Sequence, residues 1–137
     1  MEDWAVVLMV DTNVWAAFFN GEATSYSDRL DLALANKEDL VTLPIIITEV
    51  LQGFRTERGF LAARDLLLGL PVLVPSIATH VAAALLFRRM RAKGVTLRGA
   101  VDCIIAQTCI EHGVELLSPD GDFRRIAKHA RLIVCEV

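Results

Sequence analysis

A chain of 137 residues, 54% hydrophobic and 23% charged, is long enough for one domain with its own core. That composition excludes a disordered tail and a scaffold that needs disulfides or structural zinc. The net charge of −3 excludes a protein whose overall field draws in nucleic acid. The hydrophobic share omits the 8 glycines, and adding them widens the excess over the roughly 45–50% of an ordinary soluble domain. A subunit or partner is therefore expected to cover part of the apolar surface.

In chain order, Trp4 to Val10 is a short Val-rich apolar run that stops at Asp-Thr-Asn, which predicts a buried strand followed by a helix cap. A helix begins at Val14 and ends at Asn20-Gly21. Tyr26 to Ala35 has helical spacing at Leu30 and Leu34, with Thr24 or Ser25 as cap. Leu40 to Leu43 is the second strand candidate. Pro44 suits the first turn of a helix that carries Glu49 and weakens at Gly53, and another helix covers Glu57 to Leu68.

Pro71 to Val74 is the third strand candidate. Ile77 to Lys93 reads as a long helix with Ile77, Val81, Ala84 and Leu85 on one face, ended by Gly94. Thr96 can cap the next helix, which runs through Asp102 to about His112 and stops at Gly113. Glu115 to Leu117 and Leu132 to Cys135 are the last strands, with a short helix from Phe123 to Lys128 between them. Apolar strands alternating with helices imply an α/β fold with a mostly parallel sheet covered on both faces, in a single domain over 1–137.

Leu66 to Phe87 carries no Asp, Glu, Lys or Arg, but Gly69, Pro71, Pro75, Ser76, Thr79 and His80 break it into a strand, a turn and a helix start, so no membrane span is expected. Met1-Glu2-Asp3 lacks the basic start of a secretory signal, and a cytoplasmic location is expected. Cys103, Cys109 and Cys135 are odd in number and lack CxxC spacing, which suits reduced core residues.

Four acids stand at the edges of apolar segments: Asp11 after LMV, Glu49 in IIITEVL, Asp102 in AVDCIIA and Asp120 after ELLSP. Such acids cost free energy unless compensated. Hard divalent cations are held by carboxylate oxygens and serve phosphate chemistry, so one compensation can cover all four. In an open parallel sheet, Asp11 and Asp120 fall just after strands, where ligands bind, and Glu49 and Asp102 fall near helix beginnings. Singly, each has an ordinary use: Asp11 as an N-cap, Glu49 as a first-turn acid, Asp120 in the turn Ser-Pro-Asp-Gly-Asp. Asp102 is harder to explain that way, because Val101, Ile104 and Ile105 surround it.

The basic residues are not evenly spread. Nine of the 14 Lys and Arg flank two of these acids: Arg88, Arg89, Arg91, Lys93 and Arg98 precede Asp102, and Arg124, Arg125, Lys128 and Arg131 follow Asp120. Solvated helix faces and helix C-termini account for most of them. Arg88, Arg91, Arg98 and Arg124 are the candidates for phosphate contacts. His80, His112 and His129 fall at helix ends or in basic surface, and Trp15, Phe18 and Phe19 suit a core better than a base-stacking platform.

VDTNVW, TEVLQGF, GVTLRGAVDCIIAQTCIEHG and LLSPDGDF together resemble the PIN-domain ribonucleases, and in particular the VapC toxins of prokaryotic toxin–antitoxin pairs. The resemblance spans roughly residues 8 to 134 and implies a three-layer α/β/α PIN-like domain with a central sheet of about five strands. It maps the family's acids onto Asp11, Glu49, Asp102 and Asp120, its polar residue after the first Asp onto Asn13, and its hydroxyl, commonly Thr, onto Ser118. It implies Mg²⁺ or Mn²⁺ held by Asp11, Asp102 and Asp120, with Glu49 completing the site directly or through water. Asn13 and Ser118 would orient carboxylates or water. Asp122 is either a further ligand or the cap of the Phe123 helix.

The implied function is metal-dependent endoribonuclease action on RNA phosphodiesters by a toxin, with an antitoxin covering an apolar groove near the site and a homodimer bringing two clefts onto one face. Two other readings stand beside it. One is a PIN-like interaction module without activity, and the other is a phosphatase using Asp11 as nucleophile, although such enzymes usually carry a second acid where this chain has Asn13.

Overall fold

The computed structural model describes residues 6–137. Three strands, β1 (Val7–Val10), β2 (Asp39–Val41) and β3 (Glu115–Leu117), form a parallel sheet in the order β2-β1-β3. Val7 pairs with Asp39 and Met9 with Val41 on one side of β1, and Leu8 with Glu115 and Val10 with Leu117 on the other. Leu8, Met9 and Val10 are all buried, as expected for a central parallel strand covered on both faces. The expected start of β1 at Trp4 and Ala5 lies outside the described residues.

Among the described residues the expected five strands are three. The segments around Val72 and Val134 extend the sheet at its two edges by one parallel bridge each, to Thr42 and to Leu116. Thr42 donates to the Pro71 carbonyl at 3.1 Å and accepts from the Leu73 N–H at 2.8 Å. On the other edge, Leu116 donates to Ile133 and accepts from Cys135. Pro71 and Pro75, at the two ends of the first segment, have no N–H to donate, so it does not lengthen into a strand.

Among the described residues, six helices connect these strands, α1 (Thr12–Phe19), α2 (Ser25–Ala35), α3 (Pro44–Leu51), α4 (Glu57–Leu68), α5 (Ile77–Ala92) and α6 (Ala100–His112), and α7 (Gly121–Ala127) follows β3. They pack in two groups, α1 with α2 and α3 and α3 with α4, and α5 with α6 and α6 with α7. From β1 the chain steps through α1 and α2 to β2 and through α3 and α4 to the Val72 segment in one direction, and returns through α5 and α6 to β3 on the other side of β1. Right-handed crossovers then put α1 to α4 and α5 to α6 on opposite faces, and strand order reverses at β1.

Local chemistry explains most boundaries. Asp11, Thr24, Thr56 and Ser76 cap α1, α2, α4 and α5 through their side chains, and Pro44 opens α3. Gly113 closes α6 at φ +63°, a left-handed conformation that costs any other residue strain. Trp15 is fully buried and stacks on Phe19 at 5.8 Å, which in turn meets Phe54 edge-on, so these aromatics are core. The three cysteines are free and buried.

Two expectations are corrected here. Thr96 does not cap α6, which starts four residues later at Ala100 after Gly99, because Leu97 is drawn into the core and holds the preceding segment out of the helix. On α5 the buried face is Ala83, Leu86 and Met90, whereas Ile77, Val81 and Leu85 are 82%, 59% and 41% exposed. Both stripes have helical spacing, and packing against α6 selects the one whose Thr79 hydroxyl meets Glu111 on α6 at 2.7 Å. Among the described residues, no helix is long and apolar enough to cross a membrane.

Candidate active site

Asp11, Glu49, Asp102 and Asp120 line one cleft of about 300 Å³ together with Thr12, Asn13 and Arg98. Asp11 follows β1, Glu49 is on α3, Asp102 is in the first turn of α6, and Asp120 is the N-cap of α7, after β3. The cleft therefore opens beyond the carboxyl ends of β1 and β3, where strand order reverses.

Asp11 is buried, and both of its oxygens are bonded: Oδ1 accepts from the Thr12 N–H at 2.8 Å and Oδ2 from the Ser118 hydroxyl at 2.8 Å. Ser118 Oγ also accepts from the Asp120 N–H at 3.1 Å, so one buried hydroxyl links the first and last acids. Asn13 lines the mouth of the cleft with its side chain exposed.

Burial pushes the Asp11 carboxyl upward, against its hydrogen bonds from Ser118 and Thr12, and the negative charges of Asp120 and Glu49 add to the rise. Burial first, then the charges of Asp120, Asp11 and Glu49, push Asp102 up to about 6, with only Arg98 opposing. The charges of the cleft thus disfavour ionisation of Asp11 and Asp102, and a bound positive charge would favour it.

Asp122 joins this group in a way the sequence left open. One carboxylate oxygen from each of Asp102, Asp120 and Asp122 lies within 4.8 Å of the others, close enough to hold a single ion. Asp122 does not cap α7; Asp120 does, accepting from the Asp122 N–H at 2.9 Å, which leaves the buried Asp122 carboxylate to pair with Arg125 and to receive the Arg98 N–H at 3.4 Å. Asp11 and Glu49 are outside this tightest trio and face the same cleft.

The candidate phosphate contacts separate. Arg98 lines the acidic cleft, Arg88 and Arg91 line a shallow pocket along α5, and Arg124 donates to the Tyr26 hydroxyl at 2.9 Å. No histidine lines the cleft among the described residues; His80 is bonded through Nδ1 to the Ser76 carbonyl. Sequence reasoning missed Thr12, whose hydroxyl donates to Glu49 Oε1 at 2.9 Å and so holds the most flexible of the four acids in place. Its place beside Asp11 in the cap was visible, but a partner 37 positions away was not.

Ribonuclease VapC11 of Mycobacterium tuberculosis is 29% identical to this chain over 129 residues, which cover 92% of this chain and 96% of that protein. Among solved structures, VapBC2 from Rickettsia felis bound to a DNA fragment from their promoter matches with a TM-score of 0.74 at 22% identity, covering 95% of this chain and 98% of that one. The sarcin-ricin loop cleaving toxin VapC20 of Mycobacterium tuberculosis matches at 0.68 and 18% identity, over 90% of this chain and 95% of that one. These likenesses bear out the PIN-like α/β architecture. Residues 8–129 match the PIN domain, a span that runs from β1 past α7 and holds every acid of the cleft, and the chain belongs to the PIN domain family.

Proposed function

We propose that this protein is a Mg²⁺- or Mn²⁺-dependent endoribonuclease that hydrolyses RNA phosphodiester bonds as the toxin of a toxin–antitoxin pair. The observation that carries the reading is the convergence of four carboxylates, from four separate elements, on one cleft. The donor set fits a hard divalent cation: among the described residues it offers carboxylate oxygens, one trio of them within 4.8 Å, and no soft ligand. When bound, such an ion supplies hydroxide near neutral pH and positive charge for the phosphodiester oxygens.

Asp102 and Asp120, with Asp11 and Asp122 beside them, would hold the ion. Ser118 fixes the carboxylate of Asp11 and the backbone of Asp120, and Thr12 fixes Glu49. Glu49 would complete the site directly or accept a proton from water at its carboxylate. Arg98, the cation lining the cleft among the described residues, would bind a substrate phosphate. The named relatives support RNA as substrate and an antitoxin as partner, and RNA substrates and reduced cysteines agree with a cytoplasmic location.

We also propose that the protein forms a homodimer, on the ground of an apolar face. Val74, Ile77, Val81 and Leu85 are exposed, and Val74 also walls an apolar cavity of about 430 Å³ with Ile45, Val101 and Ile104. A two-fold contact buries such a patch against itself. Val101 walls both this cavity and the acidic cleft, so the contact would set two clefts side by side.

The test is incubation of the purified protein with total RNA, with and without Mn²⁺, alongside the Asp102→Asn variant. Cleavage that needs Mn²⁺ and vanishes in the variant supports the proposal. Inert wild-type protein on a range of structured RNAs, or full activity in the variant, overturns it.

A further inference from the structure

A basic cavity lies outside the acidic cleft. Arg89 and Lys93 at the end of α5 and Arg131 after α7 surround a cavity of about 300 Å³, with the His129 imidazole beside them and Met90 and Ile110 among its apolar walls. Among the described residues, no acid lines it. The salt bridges of those same residues join Arg29 to Glu38, Arg64 to Asp65 and Arg125 to Asp122, which leaves the three cations of this cavity without a carboxylate. The nearest acid on α6, Glu111, is already engaged by the Thr79 hydroxyl and the Gln107 amide.

Basic residues at helix C-termini often serve to satisfy carbonyls and the helix dipole. That role is largely filled here by the backbone. Lys93, Gly94 and Val95 donate their N–H groups to the last-turn carbonyls of α5, and Lys128 and His129 do the same for α7. Three clustered cations beyond that need repel one another, and apolar walls focus their field toward an incoming anion.

We propose that this cavity holds a phosphate group of the RNA strand whose scissile bond lies in the acidic cleft. The inference rests on the nuclease reading and assigns it a second anchoring point. Two of the elements that carry the acids also build the cavity: Gln107 and Ile110 of α6 line it, and the chain leaving α7 supplies His129 and Arg131. Gln107 and Ile110 are five and eight residues beyond Asp102, about 8 to 12 Å along a helix rising 1.5 Å per residue. A short run of nucleotides spans that distance. The anchor positions the strand and takes no part in bond breaking.

The experiment measures binding of a fluorescein-labelled single-stranded RNA of mixed sequence across a salt series, in the Asp102→Asn background without divalent metal so that the RNA stays intact. The test protein adds Arg89→Gln, Lys93→Gln and Arg131→Gln; the control adds Lys37→Gln, Arg55→Gln and Arg58→Gln, which remove the same charge elsewhere. Each phosphate that a protein neutralises on a single strand contributes about 0.7 to the salt slope. The expected result is a slope reduced by about 0.7, the share of one phosphate, in the test protein only, and a raised KM with unchanged kcat when the three substitutions are made in the active protein.

Equal slopes in test and control overturn this inference and leave the nuclease reading intact. A parent protein that neither binds nor, in its active form, cleaves RNA removes the nuclease reading and the anchor together. Unchanged RNA binding, with release of a polyglutamate peptide that the parent protein binds, assigns the cavity to an acidic protein partner, against the proposal.

Discussion

The Ser118 hydroxyl donates to Asp11 Oδ2 at 2.8 Å across 107 positions of sequence, inside the protein, and the Asp11 N–H donates to the Leu117 carbonyl at 3.0 Å beside it. The ends of β1 and β3 are therefore joined at the floor of the cleft. Ser118→Ala leaves a buried carboxylate oxygen without its donor, at a cost of about 1–3 kcal/mol. The expected outcome is a lower urea midpoint with an unchanged denaturant slope. An unshifted midpoint would show that this bond does not hold Asp11.

Asp102 is pushed up to about 6 from an ordinary 3.8 by burial and by its acidic neighbours. Between those values the folded chain keeps a proton that the unfolded chain has released, so the contribution of this group to stability falls as pH rises through that window. Without divalent metal, the Asp102→Asn variant should melt above wild type at about pH 7 and converge with it below about pH 4. Mn²⁺ should raise the melting temperature of wild type and not of the variant. Protons compete for the same oxygens, so the Mn²⁺ needed for half the effect should increase as pH falls below about 6. Melts across pH and Mn²⁺ concentration check all three statements.

Thr12 holds Glu49 through one hydroxyl at 2.9 Å. Thr12→Val keeps the shape and removes that donor. A hydrogen bond to a charged group contributes about 1.5–3 kcal/mol, so cleavage should slow by about tenfold or more, while Thr12→Ser retains most of the rate. Equal rates in the Val and Ser variants would show that Glu49 needs no such support.

Val81 is 59% exposed in the middle of the apolar face of α5. If a second copy covers that face, wild type sediments as a dimer, and Val81→Asp sediments as a monomer whose fold is intact by circular dichroism. A wild-type protein that stays monomeric at high concentration would refute the proposed contact.

The helices are readable from sequence because their signals are local. Thr24, one of the two caps expected for α2, accepts a backbone N–H from Ser27, Thr56 and Ser76 cap α4 and α5 in the same way, and Pro44 and Gly113 mark a start and a stop. The edge strands are shorter than their sequences suggest, since an apolar run such as Pro71 to Val74 reports burial and not the number of ladder bonds its neighbour will accept. The buried face of α5 escapes a local reading for a related reason: two apolar stripes share one helix, and only contact with α6 ranks them.

The order of residues is enough to specify the parts of the site: acids stranded at the edges of apolar segments, which burial makes costly and which therefore stand out against a chain of this composition. Folding in three dimensions chooses their company. The parallel register of β1 and β3 brings Asp11 to Ser118, the start of α6 brings Asp102 to Asp120 and Asp122, and Thr12 meets Glu49 across a helix packing contact. Those pairings depend on distances between segments far apart along the chain, and such distances are set by packing and sheet register, which local sequence does not encode.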